Sequence, residues 1–397
     1  MSPFGQEPTK PNYDETKVPS YDLPNPLIDN AGNLVGRDEW LAYRRGEILR
    51  LFEEAVYGRT PQKNLSVRPE MVDHDPQALN GRATRKQIAA YFGETEYRLD
   101  ILLYIPNQPK KPVAGFVGLN FNGNHTVLND PAIIIQDGDE NGRGSQASRW
   151  QIDKLVDRGY ALATIHRDQI APDNPDIHFA KGIYPLFYTE GQMKPKPMEW
   201  GAIGVWAWAL SRLLDYLELD ARVDAQRIGV MGHSRLGKAA LWAGAQDTRF
   251  ALVISNNSGC GGAALYRRCF GERIHHMIQP FGHWFCANHH AYQHREQDLP
   301  VDQHMLLSLI APRPLYVASA TADLWADPKG EFLSAKKAGE VYKLFNKPTL
   351  SPYNMPQPDQ PLHTTIGYHL RTGEHDVTAY DWQHYLKFAD HNSPNED

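Results

Sequence analysis

The sequence predicts an α/β fold: a three-layer αβα sandwich with a mostly parallel central sheet and long insertions near one edge. Three observations carry that expectation. Short apolar runs alternate with helix-period segments from residue 113 onward. An antiparallel hairpin precedes them, with residues 83–92 and 97–105 alternating in polarity across Gly93-Glu94-Thr95-Glu96. Finally, residues 227–242 read as a buried strand, a tight turn and an Ala-rich helix, with Ser234 at the apex.

The elements follow in order. Residues 1–35 are rich in Pro, Asn and Asp without a period, and predict an arm draped over the surface. Asp38 is expected to cap a helix running through Tyr57, ended by Gly58 and Pro61. Strands are expected at 113–119, 160–165, 228–231, 252–255, 315–319 and 365–370, the last closing the sheet, with helices at 149–158 and 199–219. Right-handed crossovers then require helices on both faces. The 397 residues are read as one domain, interrupted by insertions at 166–198 and 257–301. Long ordered loops in a compact domain usually serve function, and both are placed over the carboxyl edge of the strands.

Composition narrows the function. A hydrophobic content of 41% supports a sizeable core, and a net charge of −6 is mild for this length. No basic patch points to nucleic acid, and no apolar run reaches the ~18 residues of a membrane span. Cys260, Cys269 and Cys286 are odd in number and lack zinc-knuckle spacing. The histidines at 275, 276, 283, 289, 290 and 294 invite a metal reading. His290 and His294 have i, i+4 spacing, but no H-E-x-x-H accompanies them, so no metal is expected. A monomer is expected.

Gly232-His233-Ser234-Arg235-Leu236-Gly237 is one residue longer than G-x-S-x-G. It still has the physics of a nucleophile elbow, in which small neighbours tolerate a strained serine above the sheet edge. The Arg235 backbone N–H and the helix N-terminus then face the site of a developing oxyanion. Ser234 is therefore the candidate nucleophile. A packing or anion-binding turn is the plainer alternative.

With Lys238 added, this run resembles the nucleophile motif of the glucuronoyl esterases, a carbohydrate-esterase family with the α/β-hydrolase fold. The likeness continues in order through S-N-N-S-G-C-G-G-A-A-L from Ser255, H-W-F-C from His283 and L-P-V-D-Q-H from Leu299. It ends with L-I-A-P-R-P from Leu309, W-A-D-P-K-G-E-F from Trp325 and G-E-H-D from Gly373. It covers about the C-terminal two thirds of the chain.

A serine nucleophile needs a histidine base and an orienting carboxylate. The base should lie in a loop after the last strand. Of His363, His369, His375 and His384, only His375 sits just past it in a glycine-containing turn, where the family's motif also places its base. The family carries its acid after either of two strands. The first position here is Asn257, which cannot hold a charge. The second is Asp323, after the seventh strand, as in the bacterial type. Asp327 is the competing carboxylate, but it precedes Pro328 at a helix start, where a cap is expected.

The resemblance implies further roles. The Arg235 guanidinium would add a charged oxyanion donor, and Lys238, Glu272 and Trp325 match sugar-contacting positions. The loop Phe121-Asn122-Gly123-Asn124-His125 is where such hydrolases draw a second oxyanion donor. The implied reaction is hydrolysis of esters of (4-O-methyl-)glucuronate, as in lignin–glucuronoxylan linkages, with no cofactor. The first residues are polar and show no signal-peptide pattern, and the resemblance implies a secreted or periplasmic enzyme. An acetyl-xylan esterase of the same fold and a catalytically idle glycan-binding relative are the alternatives.

Overall fold

The structure is a computed structural model describing residues 10–392 except 64, 109 and 137–139. The first nine residues of the expected arm lie outside the described set. Among the described residues, ten strands form one sheet: β1 (Val67–Ala78), β2 (Ala83–Phe92), β3 (Arg98–Pro106), β4 (Val113–Asn120), β5 (Ala161–His166), β6 (Val223–His233), β7 (Leu252–Asn256), β8 (Leu315–Ala320), β9 (Leu362–His363) and β10 (Ile366–Arg371). Their spatial order is β1-β2-β3-β5-β4-β6-β7-β8-β10-β9. From β5 to β10 the pairing is parallel, while β1, β2, β3 and β9 pair antiparallel. This is the three-layer sandwich with a mostly parallel sheet that the alternation predicted, and it fits the α/β-hydrolase fold that the resemblance implied.

The central strands read as continuous apolar runs because both faces are covered; β4 is buried at all eight positions. The main helices are α1 (Arg45–Ala55), α2 (Ala202–Leu217), α3 (Arg235–Gln246), α4 (Pro328–Lys343) and α5 (Ala379–Asn392). One core cluster joins α1 to α4 through Phe52, Trp206, Trp242 and Phe332. A second, holding Phe116, Leu155, Trp382 and Tyr385, takes α5 and the short helix Ile152–Asp157.

Several expectations are corrected. β1 was missed because its sequence is charged, carries two prolines and is exposed at nearly every position; it is an edge strand. Its presence makes the strand before Asp323 the eighth, not the seventh. The sheet also does not end at β10, because two-residue β9 pairs outside it. The helix expected at 149–158 breaks at Gln151, whose φ is 48°. Asp38 does not cap its helix: Gly36 takes that position and the Glu39 carboxylate accepts its N–H at 3.0 Å. The helix also passes through a wide turn at Trp40–Arg44 before α1.

The arm is anchored rather than loose. Gly271 N–H donates to Asn12 O at 2.8 Å, and the Glu15 carboxylate pairs with Arg268 and Lys329, each at 2.6 Å. All three cysteines are free thiols.

Candidate active site

Ser234 sits between β6 and α3 with φ 57° and ψ −130°, a conformation that L residues rarely hold without surrounding constraint. The glycines explain how. A Cβ on Gly232 would lie 2.0 Å from Leu236 O, and one on Gly237 3.0 Å from the Ser258 side chain. The six-residue spacing therefore builds the same tight elbow as the five-residue motif. Ser234 N–H donates to Asn256 O at 2.9 Å, which ties the elbow to β7. Ser234 O takes the N–H of Gly237 at 2.9 Å and of Lys238 at 3.2 Å. The N–H groups of Arg235 and Leu236 head α3 without an intrahelical acceptor, the local feature that stabilises negative charge.

Asp323 and His375 come from loops after neighbouring strands, β8 and β10. His375 Nδ1 lies 2.6 Å from Asp323 Oδ2. With the Nδ1 proton given to that carboxylate, Nε2 carries the lone pair needed by a base. Asn257 Nδ2 donates to the same oxygen at 2.8 Å, and Ala326 N–H to Oδ1 at 3.3 Å. Burial alone would raise the Asp323 carboxyl, but the His375 bond and charge and the Asn257 amide hold it below the ordinary value. Asn257 therefore supports the Asp323 carboxylate. Asp327 faces the other way: its Oδ1 accepts Gly330 N–H at 2.9 Å at the start of α4, and its Oδ2 holds Arg268 Nε at 2.8 Å. Burial is the main cause that pushes its carboxyl up.

On the other side of the serine, Arg235 donates from Nη1 to Asp173. Its guanidinium lies 4.5 Å from the Trp284 ring centre and 5.1 Å from that of Phe281. Asp173 lies between β5 and α2, and Trp284 between β7 and β8, so both intervals contribute to the surroundings of the residue after Ser234. The loop after β4 turns at Gly123, φ 95°, and lays Phe121 beside His233, with ring centres 6.2 Å apart.

Lys238 is buried, and its three N–H bonds are committed to Ser258 O at 2.7 Å, Cys260 O and Glu272 Oε2 at 3.1 Å. A sugar hydroxyl reaches Lys238 only by displacing one of these, whereas Glu272 is aimed by it. Glu272 N–H donates to Trp325 O at 2.8 Å, which sets the two residues side by side, and Trp325 is 39% exposed.

The chain matches the family model described as glucuronyl esterase, fungi, over residues 131–346. It is 45% identical to a carbohydrate esterase from an unknown prokaryotic organism, over 96% of this chain and 91% of the relative. It therefore belongs to the glucuronoyl esterase family. A 4-O-methyl-glucuronoyl methylesterase of Cerrena unicolor is 33% identical over 84% of this chain and 63% of its own length. Among solved structures, a glucuronoyl esterase from Solibacter usitatus superposes with a TM-score of 0.92 at 46% identity, covering 96% of this chain and all of that one. A promiscuous carbohydrate esterase family 15 esterase from a marine bacterial metagenome gives 0.90 at 44% identity, covering 97% and 100%.

Sequence reasoning missed several supports of this esterase site. Arg371 Nη2 donates to the carbonyls of Glu374 at 2.8 Å and Asp376 at 3.0 Å, one on each side of His375. Arg149 Nε holds the Asp376 side chain. Glu331 is fully buried behind the acid, accepting Ser258 N–H at 2.9 Å, Gly259 N–H at 3.0 Å and the Ser319 hydroxyl at 2.6 Å. Burial pushes its carboxyl up to about 8. His233 packs 4.5 Å from His375, and burial pushes it down to about 3, so it stays neutral beside the base. The only available signal was the presence of Glu331 and His233 inside recognised motifs; Arg371 and Arg149 carried none.

The insertion histidines have local partners. His283 Nε2 lies 2.9 Å from Asp173 Oδ1, His289 Nδ1 2.9 Å from Ala55 O, and His290 Nε2 2.9 Å from Gly282 O. Among the described residues, no three His, Cys, Asp or Glu side chains converge as metal ligands.

Proposed function

We propose that this chain hydrolyses esters of glucuronate or 4-O-methyl-glucuronate, as in lignin–glucuronoxylan linkages, through a Ser234–His375–Asp323 triad. The observation that carries the reading is the 2.6 Å His375–Asp323 bond, with His375 packed 4.5 Å from His233, the residue before the serine held at φ 57°. Family membership supplies the acyl group.

Ser234 Oγ attacks the uronate ester carbonyl while His375 Nε2 takes its proton. The tetrahedral oxyanion is met by the N–H groups at the head of α3 and by the Arg235 guanidinium. Its collapse breaks the bond to the alcohol, which leaves with the proton from His375. Water, deprotonated by His375, then cleaves the Ser234 ester and releases glucuronate. No step calls for a cofactor. Glu272 and Trp325, with Lys238 behind Glu272, form the sugar side, so the alcohol projects outward.

The whole chain acts as one catalytic domain and as a monomer on a polysaccharide ester, outside the cytoplasm. Among the described residues no helix is long and apolar enough to cross a membrane. The test compares benzyl glucuronate with p-nitrophenyl acetate and a feruloyl ester. The expected kcat/KM is highest for the glucuronate ester; an acetyl ester turned over faster overturns the substrate assignment.

A further inference from the structure

We propose that Asp173 is a positioning residue that fixes the Arg235 guanidinium beside the reacting serine. The inference rests on the oxyanion role given above to Arg235, and it assigns to the 166–198 insertion a part in the chemistry.

The Asp173 side chain is 2% exposed, yet it is ionised and saturated. Oδ1 accepts His283 Nε2–H at 2.9 Å and Trp284 Nε1–H at 2.7 Å. Oδ2 accepts from Nη1 of both Arg167 and Arg235. Burial alone would raise this carboxyl; the His283 bond and the two guanidiniums hold it far below the usual carboxylate range. Four donors use the four acceptor directions of one carboxylate, leaving no second arrangement of equal energy.

Trp284 acts twice in this cluster. Its ring lies under Arg235 and its N–H is fixed by the carboxylate that holds Arg235. Phe281 stacks on it at 4.2 Å with a 6° interplanar angle, which extends the flat surface. The guanidinium thus has both its plane and its direction set. An exposed ion pair would set neither and would be worth little.

Charge completes the case. Two guanidiniums against one carboxylate leave the cluster with a net +1. Asp173 can therefore aim Arg235 without cancelling its charge, because Arg167 shares the same oxygen. Arg167 is itself packed 5.3 Å from the Phe121 ring and 5.7 Å from that of Trp206, which keeps it there.

The test is a double-mutant cycle on benzyl glucuronate with Asp173→Asn, Arg235→Ala and the pair, reading kcat and KM separately. Asp173→Asn is expected to lower kcat by roughly 10–100-fold with KM changed less than about threefold, as for a weakened oxyanion donor. In the Arg235→Ala background the same change is expected to cost less than about twofold, because coupled residues are non-additive. Equal losses in both backgrounds would mean a structural role and overturn the inference. Arg235→Ala with normal kcat would instead remove the oxyanion role and the inference with it. If Asp173→Asn does not fold, Trp284→Phe keeps the ring and removes one of the four bonds. It should lower kcat severalfold with Arg235 present and not without it; a loss in both backgrounds, or in neither, overturns the inference.

Discussion

Two aspartates with buried side chains hold residues around the Ser234 elbow, Asp323 through His375 and Asp173 through Arg235, and they are built to opposite ends. Asp323 is held by an imidazole, an amide and a backbone N–H, none of which carries a permanent charge. Asp173 is held by two guanidiniums, an imidazole and an indole. Both carboxyls lie below their ordinary value, Asp173 by far the more. The difference matters for chemistry. In the proposed mechanism His375 gains and loses a proton in each half-reaction, so its partner must tolerate a change of charge. In the same proposal Arg235 keeps one charge in one place, and its partner sits in a saturated, charged knot. On that reading one side of the serine moves protons and the other holds a field.

The comparison breaks first at Asp323. Asp323→Asn should lower kcat by as much as ~10⁴-fold, because the amide favours the wrong tautomer and leaves an imidazolium unstabilised. It should also flatten the acid limb of stability. A carboxyl depressed in the folded state contributes stability that is full above the unfolded value and is lost as pH falls through the folded one. Thermal melts of both proteins down the acid range check the sign, and a near-normal kcat would remove Asp323 from the triad.

Lys238→Ala should lose both activity and stability. It removes the partner of Glu272 and three bonds from a buried ammonium, a change worth about 3–5 kcal/mol in buried pairs. Urea titration with kinetics on glucuronate and acetate esters would detect it. If only KM for the glucuronate ester rises and stability is intact, Lys238 contacts sugar directly.

Glu331→Gln should act chiefly on pH dependence. Its carboxyl, raised to about 8, holds a proton in the folded state. That contribution is full below the unfolded value and is lost as pH rises toward 8. The wild-type Tm should therefore fall across that window, and the variant's should fall less. Equal slopes would mean that Glu331 is ionised behind the acid.

The smallest effect on rate is expected at Asp327, four residues from Asp323. Asp327→Asn should leave kcat within about twofold, since Asn caps a helix nearly as well. Its cost is in stability, roughly 1–3 kcal/mol, because buried Arg268 loses a charged partner. A large loss of kcat would move the catalytic acid from Asp323 to Asp327.

The fold was legible wherever burial imposed a period or a continuous apolar run, as at β4, α2 and the elbow. It was illegible where no burial marked it: β1 is stabilised by pairing along one edge, and its charges look like loop. The site divides the same way. Ser234, His375 and Asp323, the proposed triad, were singled out by chain order and turn chemistry together with the family's motifs. Asn257 was legible as a position without a carboxylate but not as a donor to Asp323. Asp173 sits in Ala171-Pro172-Asp173-Asn174-Pro175, which reads as an ordinary polar turn. Its four donors come from positions 167, 235, 283 and 284, and no local pattern links them. Arg371 supports His375 through backbone carbonyls, which leave no trace in sequence. Lys238 was legible as a residue facing the site, but its three acceptors depend on how the loop after β7 folds back.

The most direct test is the rate of Ser234→Ala on benzyl glucuronate, with its melting temperature measured alongside. Loss of a triad nucleophile costs about 10⁶-fold in kcat, and that loss is expected here with the melting temperature kept. A variant that folds and retains a tenth of the wild-type rate would contradict the assignment of Ser234 as the nucleophile of this esterase.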